Sequence, residues 1–342
     1  MNSNMSYEIG DSSSPNFCIY EDRKEDAVAV KLLVLSVLNT HPEARIFLMG
    51  ETCSGVQLPE GVCSELIFRV PEFTPKLHGW NTKPEALLYL LERGLERVYW
   101  LDSDLIFIRK LPERILFPDP GTIIVAEETS SVGRQGSGLR TSAWGLHPGT
   151  SLDGTANSCF VSVSTHHVDL LGEYRDMLSS DAYKDSMQEA FHLRPLHMKG
   201  DQDVLTALLG SLKYAKLEIA WLQAGREIAQ CFRPDGFSVS DRIACAHGRT
   251  PSLIHAQGPK PWREYARRPV YLELSPYRYA AQRYAQSLEP EESAWLPLTR
   301  DVAIFWDKLF MGNAYLSGIP AAITDKVERQ WARLLRRLLL QR

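Results

Sequence analysis

Between Asn16 and Ala126, short apolar runs alternate with stretches of helical periodicity, and this alternation constrains the fold more than any other feature of the chain. Asn16–Tyr20 (NFCIY) is short and apolar, as a buried strand is. Glu25–Asn39 places Val28, Leu32, Leu35 and Leu38 on one side of a helix, which stops at His41-Pro42 because proline disfavours helix in the residue before it. Ala44–Met49 and Leu66–Val70 are the next strands. Thr82–Gly94 is a helix with Pro84 in its first turn and Gly94 at its end. Arg97–Leu101 and Thr122–Ala126 return to strand. Strand, helix and strand in succession predict an α/β fold, a mainly parallel central sheet flanked by helices. Ligands of such sheets bind beyond the carboxyl ends of the strands, and Asp102 and Asp104 fall at one such end.

The rest of the chain fits the same plan. Glu127–Thr155 is rich in Gly, Ser and Thr, carries Arg134 and Arg140, and reads as a long functional loop. Ser158–Ser164 is a strand, His166–Ser179 and Asp201–Leu212 are helices, and Ser252–Ala256 is a last short strand. Beyond Tyr271 the pattern is helical and aromatic. Residues 1–15 are polar, without periodicity, and read as a disordered leader with no secretory pattern. The six cysteines include no C-x-x-C pair, which argues against a zinc ribbon and for reduced thiols in a cytosolic protein. A net charge of −4 over 342 residues gives no basis for nucleic-acid binding. No stretch approaches the roughly 20 apolar residues that span a bilayer.

Val98-Tyr-Trp-Leu-Asp102-Ser103-Asp104 is the most informative segment. Two carboxylates one residue apart at the end of an apolar strand contribute little to a core, where unpaired charge is costly. A divalent ion removes that cost, since carboxylate oxygens suit Mg²⁺ and Mn²⁺, and it can neutralise a departing diphosphate. The plain alternative is a turn whose aspartates bond to the backbone. Two later clusters fit the same chemistry. Asp201-Gln202-Asp203 opens a helix, as N-cap or as part of a site. His255-Ala-Gln-Gly258-Pro-Lys260-Pro-Trp262 offers an imidazole as a third metal ligand, a glycine that allows close backbone approach, and a cation for a phosphate.

In this order Asp102-Ser-Asp104, Asn157-Ser-Cys159, Asp201-Gln-Asp203 and the segment His255 to Trp262 resemble the retaining glycosyltransferase family that includes glycogenin and the bacterial lipopolysaccharide galactosyltransferases. The resemblance covers about residues 16–265. It implies a nucleotide-diphosphosugar transferase fold of the GT-A type, a catalytic domain over 16–270 and a helical C-terminal region over 271–342. Cys159 stands where such enzymes commonly have glycine, and Ile19-Tyr20-Glu21-Asp22 replaces their small-residue pattern.

The resemblance implies a hexosyltransferase that moves a hexose from a nucleotide sugar, a UDP-sugar, to a glycan or lipid-linked glycan with retention, in polysaccharide biosynthesis. Asp102, Asp104 and His255 would hold Mn²⁺ or Mg²⁺. Lys260 would meet the donor diphosphate, and Gly258 and Ser103 would also lie in the donor site. Tyr20, Asp22 and Lys83 would lie near base, ribose or phosphate. Asn157, Asp201 and Gln202 would hold the sugar, and Asp201 and Gln202 are the candidates should retention use a nucleophile. Alternatives are an inverting enzyme using Glu127, Glu128 or Asp153 as base, a nucleotidyltransferase, and an inactive glycan- or nucleotide-binding protein. Glu127–Thr155 is expected to close as a lid. Thr324–Arg342 interleaves Lys326, Arg329, Arg333, Arg336 and Arg337 with Val327, Trp331, Leu334 and Leu338, and reads as an amphipathic helix on the inner face of a membrane or packed on protein.

Overall fold

The computed structural model describes residues 14–128, 138–149, 151–152, 154–230, 237–263 and 270–340, and of residues 325, 329 and 332–340 the backbone alone. The chain divides into two compact units. One holds Met1–Ser103 and Leu111–Gln223, the other Asp104–Lys110 and Ala224–Arg342. Numbered in chain order, the described strands are β1 (Asn16–Tyr20), β2 (Arg45–Met49), β3 (Ile67–Val70), β4 (Arg97–Leu101), β5 (Leu105–Phe107), β6 (Thr122–Glu127), β7 (Ala156–Ser164), β8 (Glu218–Leu222), β9 (Ile228–Gln230) and β10 (Leu253–His255).

The first unit is built on a seven-stranded sheet in the order β3-β2-β1-β4-β7-β6-β8. Every neighbouring pair is parallel except the two that involve β7. This is the mainly parallel α/β sheet that the strand–helix alternation predicts. β2 lies on one side of β1 and β4 on the other, so the strand order reverses at β1. Loops leaving the carboxyl ends diverge at such a point and open a crevice. Glu21 and Asp22 follow β1, and Asp102 and Ser103 follow β4.

One sheet face and the helices Lys83–Leu91, Val168–Ser179 and Asp201–Leu209 share a core that includes Cys18, Phe47, Trp100, Val161, Leu87, Leu171 and Leu205. Full burial of each such large side chain contributes about 2 kcal/mol. The helix after β1 runs Ala27–Thr40, behind a 3-10 turn at Lys24–Asp26. Val28 to Val37 are all buried, so this helix is covered all round rather than along one stripe, while Leu38 is half-buried. The helix expected to reach Leu212 ends at Leu209, where Gly210 and Ser211 lead into a separate turn at Leu212–Tyr214.

Sequence reading leaves Glu127–Thr155 as loop, but β6 extends to Glu127 and Gly138–Ala143 is a helix. Residues 129–137, 150 and 153 lie outside the described residues. A bulge sits between β6 and β7: Val125 pairs with Val161, yet Ala126 pairs with Asn157. Ser158, Cys159 and Phe160 therefore have no partner on β6. Bulges of this kind re-aim side chains near sites.

The second unit carries a three-stranded sheet, β5-β10-β9, with β10 antiparallel to β5 and parallel to β9. Trp262, Tyr277 and Trp295 pack together with ring centroids 5.4 to 6.4 Å apart. Beyond Tyr271 the unit is helical, as the sequence predicts, and ends in Ile319–Leu340. Cys18, Cys53, Cys63, Cys159 and Cys245 are free thiols, and Cys231 lies outside the described residues.

Candidate active site

In the first unit the site residues cluster at the carboxyl ends of β1 and β4 and the amino end of the reversed strand β7. Lys83 is the first residue of its helix and is 1% exposed. Its Nζ lies 3.2 Å from Asp102 Oδ1 and 3.0 Å from Asp201 Oδ2. Burial alone would lower the ammonium pKa, but Asp102 and Asp201 outweigh it and hold the group above its ordinary value. The expectation of an anion contact for Lys83 therefore meets a residue already fixed between two carboxylates. Two carboxylates and one ammonium leave this trio with a net negative charge.

Asp102 also accepts from Trp100 Nε1 at 2.7 Å on the same Oδ1, and its backbone N–H donates to Cys159 O at 2.8 Å. Its Oδ2 makes no hydrogen bond among the described residues. The bulge brings Ser158 to Asp201: Ser158 Oγ donates to Oδ2 at 2.7 Å and the Tyr174 hydroxyl donates to it at 2.9 Å. Asp201 is thus a buried anchor with three donors on one oxygen. Asn157 and Gln202 meet through a residue weighed only as an alternative base. Both amides donate to Glu128 Oε2, at 3.0 and 2.9 Å, and Glu128 is 1% exposed. Asn157 Oδ1 accepts from Cys159 N at 3.0 Å, which fixes the orientation of its amide.

Arg140, placed in a loop by the sequence, is fully buried and donates Nε to Asp203 Oδ1 at 2.7 Å, while Thr141 Oγ1 donates to Ala207 O. The helix Gly138–Ala143 of the segment expected to close as a lid is therefore tied to the helix Asp201–Leu209. Burial pushes the Asp203 carboxyl up to about 6 despite Arg140, with Asp201 and Glu128 adding to the rise. Asp153, another alternative base, lies outside the described residues, and Glu127 ends β6 half-buried.

Sequence reasoning missed Glu21. It is 2% exposed, and it accepts from Ser103 Oγ at 2.5 Å, from Arg23 Nε and Nη2 at 2.8 Å each, and from the backbone of Asp22 and Arg23. Ser103, expected in the donor site, thus donates its hydroxyl hydrogen bond to Glu21. The available signal was a carboxylate in the residue after β1, level with the Asp-Ser-Asp turn. Gly50 is required beside it: its φ is 90°, and a Cβ there would lie 2.6 Å from Glu21 O. Tyr20 and Asp22 contact each other, the hydroxyl donating to Asp22 Oδ2 at 3.3 Å, and Gly79 N donates to the same oxygen at 3.4 Å.

Burial alone would raise the Glu21 carboxyl, but the hydrogen bonds from Arg23 and Ser103 hold it below its ordinary value. Its stabilisation is therefore present above the unfolded pKa near 4.3 and is lost as pH falls below that. Glu21→Gln is expected to cost about 2 kcal/mol at pH 7. Urea titrations at pH 7 and pH 3.5 should show the gap between variant and wild type narrowing at the lower pH.

In the second unit Asp104 precedes β5, and His255, last in β10, pairs with Leu105. Ala256 N donates to Asp104 O at 3.0 Å, which locks the two strand ends together. His255 Nε2 lies 3.3 Å from Asp104 Oδ1, and Lys260 Nζ contacts Asp104 Oδ2 and donates to Ala256 O. Gly258, at φ 83°, makes the turn that returns Lys260 to Asp104. Burial would raise the Asp104 carboxyl, but Lys260 and His255 dominate and hold it far below the carboxylate range. His255 Nδ1 is buried without a hydrogen-bond partner.

The donor set fits a hard divalent ion. Two ligands at right angles, about 2.1 Å from Mg²⁺, stand about 3 Å apart, close to the separation of His255 Nε2 and Asp104 Oδ1. Lys260, the cation beside this pair, is the group that suits a phosphate.

No protein-family model matches the chain, and no curated protein matches it. The solved structures it resembles include glycosyltransferases. The bifunctional glycosyltransferase WbbM is 12% identical over 74% of this chain, with a TM-score of 0.49, and the match spans 47% of WbbM, about half of its length. The galactosyltransferase LgtC in complex with donor and acceptor sugar analogues is 15% identical, over 84% of this chain and 98% of that one, with a TM-score of 0.45. Mouse xyloside xylosyltransferase 1 is 13% identical, over 71% of this chain and 98% of that one, with a TM-score of 0.42.

Proposed function

We propose that the chain is a metal-dependent glycosyltransferase that moves a hexose from a UDP-sugar to a glycan or lipid-linked glycan with retention. The observation that carries this reading is Asp104 held against His255 and Lys260, one residue after the Lys83-bound turn that holds Asp102. Asp102, through its remaining oxygen, Asp104 and His255 would hold Mn²⁺ or Mg²⁺. When bound, the ion supplies Lewis-acid charge to the diphosphate. Lys260 would bind the β-phosphate and oppose the charge that gathers on it as the glycosidic bond breaks. Lys83 orients Asp102 and Asp201. Glu128 fixes the amides of Asn157 and Gln202, which we place beside the sugar hydroxyls. Asp201 acts here as an anchor, and Gln202 is the group we place nearest the anomeric carbon.

The test is release of nucleotide diphosphate from a panel of UDP- and GDP-sugars with Mn²⁺ present. One UDP-hexose is expected to turn over at least tenfold faster than the others, with loss of activity in EDTA and an axial product anomer from an axial donor by NMR. No turnover and no UDP binding would return the chain to the class of binding proteins. An equatorial product would identify an inverting enzyme.

We also place the acceptor at a membrane surface. Ile323, Val327 and Trp331, at helical spacing on Ile319–Leu340, are 49%, 45% and 61% exposed, and the sequence around them is basic. No described helix is long and apolar enough to cross a membrane. Deleting residues 319–342 is expected to reduce co-sedimentation with phosphatidylglycerol vesicles at least tenfold, and unchanged co-sedimentation would reject the contact.

A further inference from the structure

At the amino ends of the parallel strands the first unit holds a cavity of about 450 Å³. The residues that begin three adjacent parallel strands line it: Asn16 of β1, Arg45 of β2 and Arg97 of β4. β1 has five residues, so this end lies about 13 Å along the strand from Tyr20.

The polar groups here are unusual in lacking counter-charges. Among the described residues neither arginine meets a carboxylate. Arg97 is held by neutral acceptors alone: Thr122 O and Ser162 Oγ at 3.0 Å, Asp119 O at 2.9 Å and Pro120 O at 3.0 Å. Arg45 has no side-chain hydrogen bond among the described residues, and its Nε is buried without a partner. Burial lowers its pKa, in keeping with a guanidinium that nothing compensates. Glu96, the one acid in the cavity wall, is exposed and makes no ion pair among the described residues. The positive potential reaches His167: burial first and then Arg97 pull its pKa down to about 4, so the imidazole stays neutral. Asn16 donates Nδ2 to Arg97 O at 2.9 Å, and its Oδ1 is buried without a donor. Leu95, Tyr99, Phe117 and Pro120 supply apolar wall.

A half-buried cation without a partner costs free energy unless a ligand meets it, and a guanidinium fork matches a carboxylate. We propose that this cavity binds a small organic acid, with its carboxylate on Arg45, an O–H or N–H donor on Asn16 Oδ1 and an apolar body against Leu95 and Phe117. The site is separate from the donor site and does not depend on the transferase reading.

Isothermal titration of the full chain with 3-phenyllactate, 3-phenylpropionate and 3-phenylpropanol tests each part. Phenyllactate is expected to bind saturably with one site, phenylpropionate at least fivefold more weakly for want of the hydroxyl, and the uncharged alcohol not at all. Arg45→Gln should weaken phenyllactate at least tenfold, and Arg45→Lys less than that. Since Arg45→Gln removes an uncompensated charge, it should melt no lower than wild type, which separates lost binding from lost folding. UDP should not displace phenyllactate. No saturable binding, equal binding to Arg45→Gln, or displacement by UDP would each overturn the proposal.

Discussion

Lys83→Met is expected to remove about 3–5 kcal/mol of stability and to lower transferase activity at least a thousandfold. The cause is that Lys83 compensates two carboxylates at once, and both lie at the ends of elements that build the site. Methionine fills the same space against Trp100 but brings no charge, so Asp201, 5% exposed, is left buried with only the Ser158 and Tyr174 hydroxyls. Removing one partner of a buried pair costs more than the pair itself contributes, because the survivor keeps its desolvation penalty. Adding Asp201→Asn to Lys83→Met should therefore recover stability relative to the single variant while leaving activity lost. Urea unfolding gives the first readout and UDP release the second. A Lys83→Met protein as stable as wild type would mean that water compensates Asp201, and a stable variant with full activity would remove Lys83 from the site.

This coupling was only partly legible in the sequence. Periodicity sets out the strands and the helix over Thr82–Gly94, because alternating burial is a local property of the chain. It also places Asp102 at a strand end. What it cannot supply is partnership across 118 positions, such as Lys83 with Asp201. The lysine looks like a solvated residue on a helix until the packed core of Leu87, Trp100 and Leu205 excludes water from its head. Arg140 was misplaced for the same reason. Gly, Ser and Thr around it signal loop, while its burial depends on Asp203 in a distant helix. Glu21 was overlooked because a lone acid after a strand has no pattern of its own. Its role arises from the switch point, which brings the turns after β1 and β4 together. The bulge at Asn157 is likewise invisible: the run Ser158–Ser164 reads as one uniform strand, and only pairing with β6 shows where three residues stand out.

Asp104→Asn is expected to abolish metal-dependent turnover, with a loss of at least a thousandfold in kcat/KM, and to weaken Mn²⁺ binding at least a hundredfold. Asparagine keeps the size and one oxygen of the side chain, so the bond from Ala256 N to the Asp104 backbone carbonyl is untouched. The charge is lost, and with it the attraction that draws Lys260 and His255 to one point. Lys260→Met separates the two roles of this cluster. It removes the proposed phosphate contact but spares Asp104 and His255, so Mn²⁺ binding should stay within about threefold while UDP affinity falls at least tenfold, about 1.4 kcal/mol. Electron paramagnetic resonance of free Mn²⁺, with and without UDP, reads both. If Asp104→Asn bound Mn²⁺ as wild type does, Asp104 would be a partner of Lys260 alone, and the ion would have to be held elsewhere. If Lys260→Met instead tightened Mn²⁺ binding, the lysine would be a competitor for the carboxylate, and the Gly258 turn would be a means of filling the site when donor is absent.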